Sequence, residues 1–207
     1  MKDLLPRTIT ALILAVAALL LFVFMSKLYF VMALALVLLY ILCVEWPRFN
    51  LWWLTPWYPV VPFLALIHVY TTHSPLWLWA VVTVAAYDTG GYIFGNLFGT
   101  WHIAPHLSAG KTMQGLIGGV VSASFVSVLA GYFLQKSLYF GILYLLAAGM
   151  LVGILAFCGD LFESYLKRRV AIKDSGYLLP GHGGLLDRID GLLWVILIVD
   201  IVLNVVR

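Results

Sequence analysis

The sequence predicts an all-α polytopic membrane protein with about seven transmembrane helices and a polar site gathered at one face. Of its 207 residues, 64% are hydrophobic and only 10% are charged, whereas an ordinary soluble domain is about half apolar and about a quarter charged. The mean hydropathy of +1.05 agrees with this class. The apolar residues also fall in long runs, so a soluble, a disordered and a disulfide-stapled protein are excluded.

Seven apolar stretches are candidate membrane helices, each of which needs about 20 apolar residues. They are residues 8–25, 28–45, 57–71, 76–87, 115–135, 138–157 and 191–206. The first follows a short charged run, and we expect it to be a membrane helix because no signal-peptide cleavage site leads into a polar region. The third and fourth are short and interrupted by prolines. Tryptophans near the segment ends are expected mostly as interface anchors, namely Trp46, Trp52, Trp53, Trp57, Trp77 and Trp79.

The basic residues predict the orientation, because cytoplasmic loops carry an excess of Lys and Arg. With a cytoplasmic N-terminus, nine basic residues lie on the cytoplasmic side and only Lys27, Lys136 and Arg207 lie outside. This arrangement places both long polar loops, 88–114 and 158–190, in the cytoplasm.

Charged residues concentrate in the 158–190 loop. Two sets share one helix face each, namely Asp160, Glu163 and Lys167, and then Asp187 with Asp190. The run from Pro180 to Gly184 is a glycine-rich turn that can bring N–H groups close to phosphate oxygens. Carboxylates hold Mg²⁺ that bridges to phosphates, and Lys and Arg neutralise phosphate charge. The loop therefore predicts phosphoryl or nucleotidyl transfer at a membrane surface.

Each element also has a plainer interpretation. The basic triplet 167–169 can mark topology and touch anionic lipid, and Glu163 can pair with Lys167 instead of a metal. Asp187 and Asp190 can be helix N-terminal charges favoured by the dipole. A transporter is an alternative class, but transporters place polar residues near the bilayer midplane, whereas these lie in loops.

The run from Ser164 to Asp190 resembles the signature of the phosphatidate cytidylyltransferases, or CDP-diacylglycerol synthases. The matching positions are Ser164, Leu166-Lys167-Arg168, Lys173-Asp174, Gly176, Leu179-Pro180-Gly181-His182-Gly183-Gly184-Leu185 and Asp187-Arg188-Ile189-Asp190. The upstream stretch from Asp88 to Gly115 is similar to a second family motif. It departs from that motif at Asn96, Ala109-Gly110 and Met113-Gln114.

The resemblance implies that the protein converts CTP and phosphatidic acid into CDP-diacylglycerol and pyrophosphate for phospholipid biosynthesis. It implies Mg²⁺ held by Asp160 and Asp187, with Mn²⁺ as a substitute and a second cation such as K⁺. It implies further catalytic residues at Lys173, His182 and Arg188. The implied substrate-binding residues are Asp88, Lys111, Ser164, Lys167, Arg168, Gly181, Gly183 and Gly184.

The resemblance also predicts how the chain is organised. Residues 1–75 are expected to be a short version of the family's N-terminal membrane part, and residues 76–207 a catalytic membrane domain. The expected setting is a bacterial inner membrane, with the lipid bilayer and a second copy of the chain as partners and no nucleic acid. A CDP-archaeol synthase or a polyprenol-type kinase is the related alternative.

Overall fold

The structure is a computed structural model that describes residues 26–134, 141–178 and 183–205. Apart from isolated bridge residues, such as the pair His102 and Thr112, the regular structure of the described residues is helical. The α-helices are α1 (Lys27–Tyr40), α2 (Val61–Thr72), α3 (Ser74–Phe98), α4 (Met113–Phe133), α5 (Ile142–Arg169) and α6 (Leu186–Val205). The all-α class is confirmed. The predicted helix at 8–25 lies outside the described residues.

Three described helical segments are long and apolar enough to cross a membrane, namely Lys27–Phe49, Met113–Phe133 and Ile142–Arg169. This finding supports a helical membrane protein. The total of seven spans stays a prediction.

The predicted polar loop 88–114 begins as helix, because α3 continues to Phe98. Its glycines look like turn formers in the sequence but lie at a helix contact. A Cβ on Gly90 would lie 2.2 Å from Ser122 Oγ on α4. Small residues let two helix backbones approach closely. The connection, called here the first loop, is therefore only residues 99–112.

The predicted loop 158–190 is also partly helical. As the spacing of its charges indicated, α5 continues through them and ends at Arg169. The next helix begins at Leu186, so the chain between the two, called here the second loop, is residues 170–185. The charged residues therefore stand on helix ends as well as in loops.

Five helices close into a ring. The α2 helix packs on α3 and α6, and the chain of contacts continues from α3 to α4, α5 and α6. Outside this ring, α1 lies against α2 and ends in two tight turns, Ile41–Glu45 and Trp46–Phe49. Asn50, with φ 51°, ends the second turn in the left-handed region.

Aromatic rings fill the space where the tight turns meet the ring of helices. Trp46 stacks on Phe49 with ring centroids 5.1 Å apart, and its indole N–H donates to Thr55 Oγ1 at 2.7 Å. Three of the six tryptophans expected near interfaces are buried instead, namely Trp46, Trp77 and Trp79. The remaining three, Trp52, Trp53 and Trp57, are exposed.

Candidate active site

The charged residues of the two loops meet where α5 crosses α6. The crossing is made by glycines, since a Cβ on Gly159 would lie 2.9 Å from both Asp190 O and Gly191 Cα. A Cβ on Gly191 would in turn lie 3.1 Å from Asp160 Oδ1. Backbone contact between the helices thus brings Asp160 and Asp190 to one space.

Lys111 joins the first loop to α5. Its ammonium contacts the Asp160 carboxylate and lies 6.0 Å from the centre of the Phe157 ring. The two partners are 49 positions apart in the chain. The structure therefore brings together one predicted metal ligand and one predicted substrate-binding residue.

A cavity of about 260 Å³ opens beside this ion pair, between α3, the first loop, α4 and α5. Its walls combine charged, hydroxyl and aromatic side chains, including Asp88, Tyr92, Ser108, Lys111, Thr112 and Phe157. Ammonium and hydroxyl groups donate hydrogen bonds to phosphate oxygens, and aromatic rings offer a stacking surface. The cavity thus suits a phosphate-bearing ligand with a planar ring.

Asp187 accepts four hydrogen bonds. Lys167 Nζ donates to its Oδ1 at 2.6 Å, and its Oδ2 accepts from Ser175 N and Oγ at 2.9 Å each and from Gly184 N at 2.8 Å. A side chain on Gly183, where φ is +81°, would start 2.6 Å from the same oxygen. Gly183 and Gly184 therefore border a carboxylate. Phosphate contact by Gly183 and Gly184 stays a prediction.

The two aspartates near the start of α6 have opposite pKa shifts, and both precede the apolar stretch 191–206. Burial alone would raise the pKa of Asp187, but Lys167 and neighbouring backbone N–H groups outweigh it and lower the pKa. Burial, followed by the charge of Asp160, raises the pKa of Asp190 to about 7. Asp187 is therefore held ionised, whereas Asp190 exchanges a proton near neutral pH.

Glu163 is fully buried on α5. Its Oε2 lies 3.4 Å from Lys167 Nζ, so the structure contains the ion pair that the spacing allowed. The carboxyl groups of Glu163 and Asp190 also contact each other.

The remaining predicted basic residues differ in their surroundings. Arg168 donates from Nε to Leu107 O at 3.1 Å and from Nη1 to Ile172 O at 2.9 Å, so it ties the two loops together. Lys173 and Arg188 are exposed.

Three further residues were predicted to bind substrate or to be catalytic, namely Ser164, Gly181 and His182. Ser164 is half-buried on α5. Gly181 and His182 lie outside the described residues.

Two polar residues at the site were missed by the sequence reasoning. Glu45 is fully buried and accepts hydrogen bonds from Leu185 N at 2.7 Å and Leu186 N at 2.9 Å. The signal was one acid at the end of a strongly apolar stretch.

The second missed residue is Gln114, one of the departures from the family motif. Its Oε1 accepts from Thr100 N at 3.2 Å and Trp101 N at 3.3 Å, and its Nε2 donates to Thr100 Oγ1 at 2.7 Å. It therefore holds the start of the first loop.

The donor chemistry of the site fits a hard divalent cation. Five carboxylates gather around two lysines, namely Asp88, Asp160, Glu163, Asp187 and Asp190 around Lys111 and Lys167. Among the described residues, no three His, Cys, Asp or Glu side chains form a ready cluster for a metal. Mg²⁺ is commonly bound by one or two carboxylates, with waters and substrate phosphates as the other ligands. The excess of carboxyl groups over lysine side chains is compatible with that mode.

Comparison with known proteins decides the family. The sequence model of the cytidylyltransferase family matches residues 8–206. The chain belongs to the cytidylyltransferase family. This confirms the family resemblance that the run from Ser164 to Asp190 indicated.

Three relatives illustrate the cytidylyltransferase similarity. The uncharacterised protein YnbB of Escherichia coli (strain K12) is 46% identical over 107 residues, which are 52% of this chain and 35% of that protein. The phosphatidate cytidylyltransferase of Helicobacter pylori is 44% identical over 138 residues, 66% of this chain and 50% of that protein. That of Staphylococcus haemolyticus is 40% identical over 126 residues, 61% and 48% of the two chains. The chain thus spans half the length of these relatives or less.

Proposed function

We propose that the chain transfers the cytidylyl group of CTP to phosphatidic acid, giving CDP-diacylglycerol and pyrophosphate for phospholipid biosynthesis. The observation that carries this proposal is the convergence of two distant charged stretches on one site in a helical membrane protein. Relatives that are 40% and 44% identical are named phosphatidate cytidylyltransferase. Their names supply the reaction, and the site supplies groups suited to it.

Cytidylyl transfer requires correct positioning of the two substrates more than it requires a strong base. A phosphate oxygen of phosphatidic acid attacks the α-phosphorus of CTP, and the bond to the bridging oxygen breaks as pyrophosphate leaves. The attacking oxygen is already anionic near pH 7, so little proton transfer is needed. Transfers of this kind depend mainly on orientation and on stabilising charge.

The basic residues provide that stabilisation in our proposal. Lys111 lies on the cavity wall and binds CTP phosphates there. Lys167, Arg168, Lys173 and Arg188 neutralise the remaining phosphate charge, with Asp88 and Ser164 as polar contacts to the substrates. His182 and Gly181 belong to the same signature run.

Asp160 and Asp187 would hold Mg²⁺, with Mn²⁺ as a substitute and K⁺ at a second site. When bound, the metal offsets the repulsion between two anionic reactants. Asp187 already accepts four hydrogen bonds, whereas the described partner of Asp160 is Lys111 alone. We therefore assign direct metal contact to Asp160 first, and to Asp187 a larger share of orienting its neighbours.

The finer topology is also a proposal. Seven spans with a cytoplasmic N-terminus would place both loops in the cytoplasm. The membrane would be the inner membrane of a bacterium, and the chain would pair with a second copy of itself. The excess of basic residues on the loop side supports this orientation. Labelling of Lys173→Cys, in a chain that also carries Cys43→Ser and Cys158→Ser because both native thiols are free and exposed, tests it in inverted and right-side-out vesicles. Only cytoplasmic exposure of position 173 gives labelling in inverted vesicles alone.

The reaction is tested with the purified full chain in detergent, phosphatidic acid, radiolabelled CTP and Mg²⁺. Asp160→Asn removes one proposed metal ligand without changing size. Asp200→Asn is its matched control, because Asp200 bonds His68 Nδ1 at 2.6 Å between α2 and α6, outside the charged site. We expect labelled CDP-diacylglycerol from wild type and Asp200→Asn, and a loss of about 100-fold or more in Asp160→Asn and with EDTA.

Each other outcome has a definite meaning. No product and no pyrophosphate with any lipid would contradict the enzyme and favour the transporter class. Product only with a diether lipid phosphate or a polyprenol would move the acceptor to the related lipid enzymes. Full activity in Asp160→Asn would keep the reaction and reject the metal site.

A further inference from the structure

We propose that Glu45 is a positioning residue that fixes the start of α6 and, through it, Asp187; the catalytic part of this inference rests on the proposed function. Glu45 is fully buried at the end of the turn Ile41–Glu45, and its two oxygens accept from Leu185 N and Leu186 N. The first N–H groups of a helix have no partner within the helix. Glu45 therefore caps α6 from another part of the chain.

The glycines of the signature run leave room for this contact. A Cβ on Gly176 would lie 2.7 Å from Glu45 Oε1, and one on Gly184 would lie 2.6 Å from the same oxygen. Contacts this short do not occur for real Cβ atoms. Glycine at position 176 is thus explained by the approach of the Glu45 carboxylate, and glycine at position 184 by that carboxylate together with the Ser175 hydroxyl, which would lie 2.2 Å from the added Cβ.

Ser175 connects Glu45 to Asp187. Its hydroxyl lies 3.3 Å from Glu45 Oε2 and 2.9 Å from Asp187 Oδ2. A hydroxyl has one hydrogen, so the shorter contact with Asp187 is its main bond and Glu45 borders it on the other side. Glu45 acts on Asp187 chiefly by holding the α6 backbone two residues before it.

Arg48, three residues after Glu45, holds the same loop from outside. Its Nη1 donates to Ser175 O at 2.7 Å, and its guanidinium lies 4.5 Å from the centre of the Tyr177 ring. One side chain from each tight turn therefore holds this region: Arg48 holds the loop and Glu45 holds the helix start. Neither Glu45 nor Arg48 lines the cavity beside Asp88, which agrees with positioning instead of substrate contact.

The test compares Glu45→Gln with Trp46→Phe in the purified full chain. The glutamine keeps the volume of Glu45 but only one acceptor oxygen for two N–H donors. Trp46→Phe disturbs the adjacent tight turn, which begins at the next residue, by removing the bond from Trp46 Nε1 to Thr55 Oγ1. For each variant, kcat, KM for CTP, the thermal unfolding midpoint in detergent and amide hydrogen exchange over 183–190 are measured.

We expect Glu45→Gln to lower kcat about tenfold with KM for CTP changed by less than about threefold, since a small misplacement costs rate more than binding. Exchange at Leu185 and Leu186 should become faster. Trp46→Phe should lower the unfolding midpoint at least as much, with kcat and exchange close to wild type.

Two results overturn the proposal: wild-type kcat and exchange in Glu45→Gln, or losses of kcat that follow the unfolding midpoint equally in both variants. If wild type makes no CDP-diacylglycerol, the proposed function fails on its own. The exchange comparison then still decides whether Glu45 holds α6, and unchanged exchange rejects it. If Glu45→Gln does not fold, Arg48→Gln gives the same measurements, with the same expected loss of kcat and faster exchange.

Discussion

Replacing glycine with alanine should affect the free energy of unfolding differently at two helix positions, Gly159 and Gly91. At Gly159 the new Cβ would lie 2.9 Å from backbone atoms of α6, whereas at Gly91 the nearest atom would be Gly115 O at 3.5 Å. Ordinary contact begins at 3.4 Å, so α5 and α6 must separate by about 0.5 Å in Gly159→Ala, because 3.4 − 2.9 = 0.5. Gly91→Ala needs no shift.

The magnitude follows from two terms. Alanine favours a helix over glycine by about 1 kcal/mol, and this term is common to both variants. Overpacking costs about 1–3 kcal/mol, and it applies to Gly159→Ala alone. The free energy of unfolding of Gly159→Ala should therefore lie about 1–3 kcal/mol below that of Gly91→Ala.

The assay is reversible unfolding of each purified variant in mixed detergent micelles, followed by circular dichroism. Gly159→Ala should also lose about tenfold in kcat, because the 0.5 Å separation displaces Asp160 from the α6 carboxylates. A Gly159→Ala variant as stable as Gly91→Ala would show that the crossing is not backbone to backbone and would refute the reasoning.

Three further predictions concern the charged site. Lys111→Met leaves Asp160 without its described cationic partner and removes the ammonium group from the cavity wall. CTP turnover, measured by pyrophosphate release, should therefore fall about 100-fold. Ser175→Ala keeps the N–H bond to Asp187 but removes the hydroxyl bond, and it should cost about 1–2 kcal/mol of unfolding free energy in the micelle titration. Because the pKa of Asp187 is lowered, its ionised form contributes stability that is complete above about pH 5 and is lost as the pH falls through the folded pKa. The difference in unfolding midpoint between wild type and Asp187→Asn should accordingly shrink from pH 5 to pH 3.

The sequence predicted the helical membrane class and the shared helix face of Asp160, Glu163 and Lys167, because apolar runs and helical spacing are local properties. Contacts between distant positions were outside its reach. Glu45 meets Leu185 across 140 positions, and a single acid at the end of an apolar run has no periodic partner.

The glycines of α3 show a different difficulty. Gly90 and its neighbours share the composition of a turn, yet they are helical and Gly90 packs closely against α4. Likewise, His68 and Asp200 had no recognisable spacing, yet they lie 2.6 Å apart across 132 positions. Both cases depend on which helices pack together, and no local pattern in this sequence specifies that.

The length of α5 indicates the depth at which Asp160 would lie in a membrane. From Ile142, where α5 begins, the helix carries no charge until Asp160. These 18 steps rise about 27 Å at about 1.5 Å each, close to the hydrocarbon thickness of about 30 Å. In the proposed topology, Asp160 would therefore lie about where the lipid headgroups begin. In the proposed function, a lipid substrate whose phosphate lies at that depth would reach the site by lateral diffusion within its leaflet, without moving its acyl chains out of the hydrocarbon.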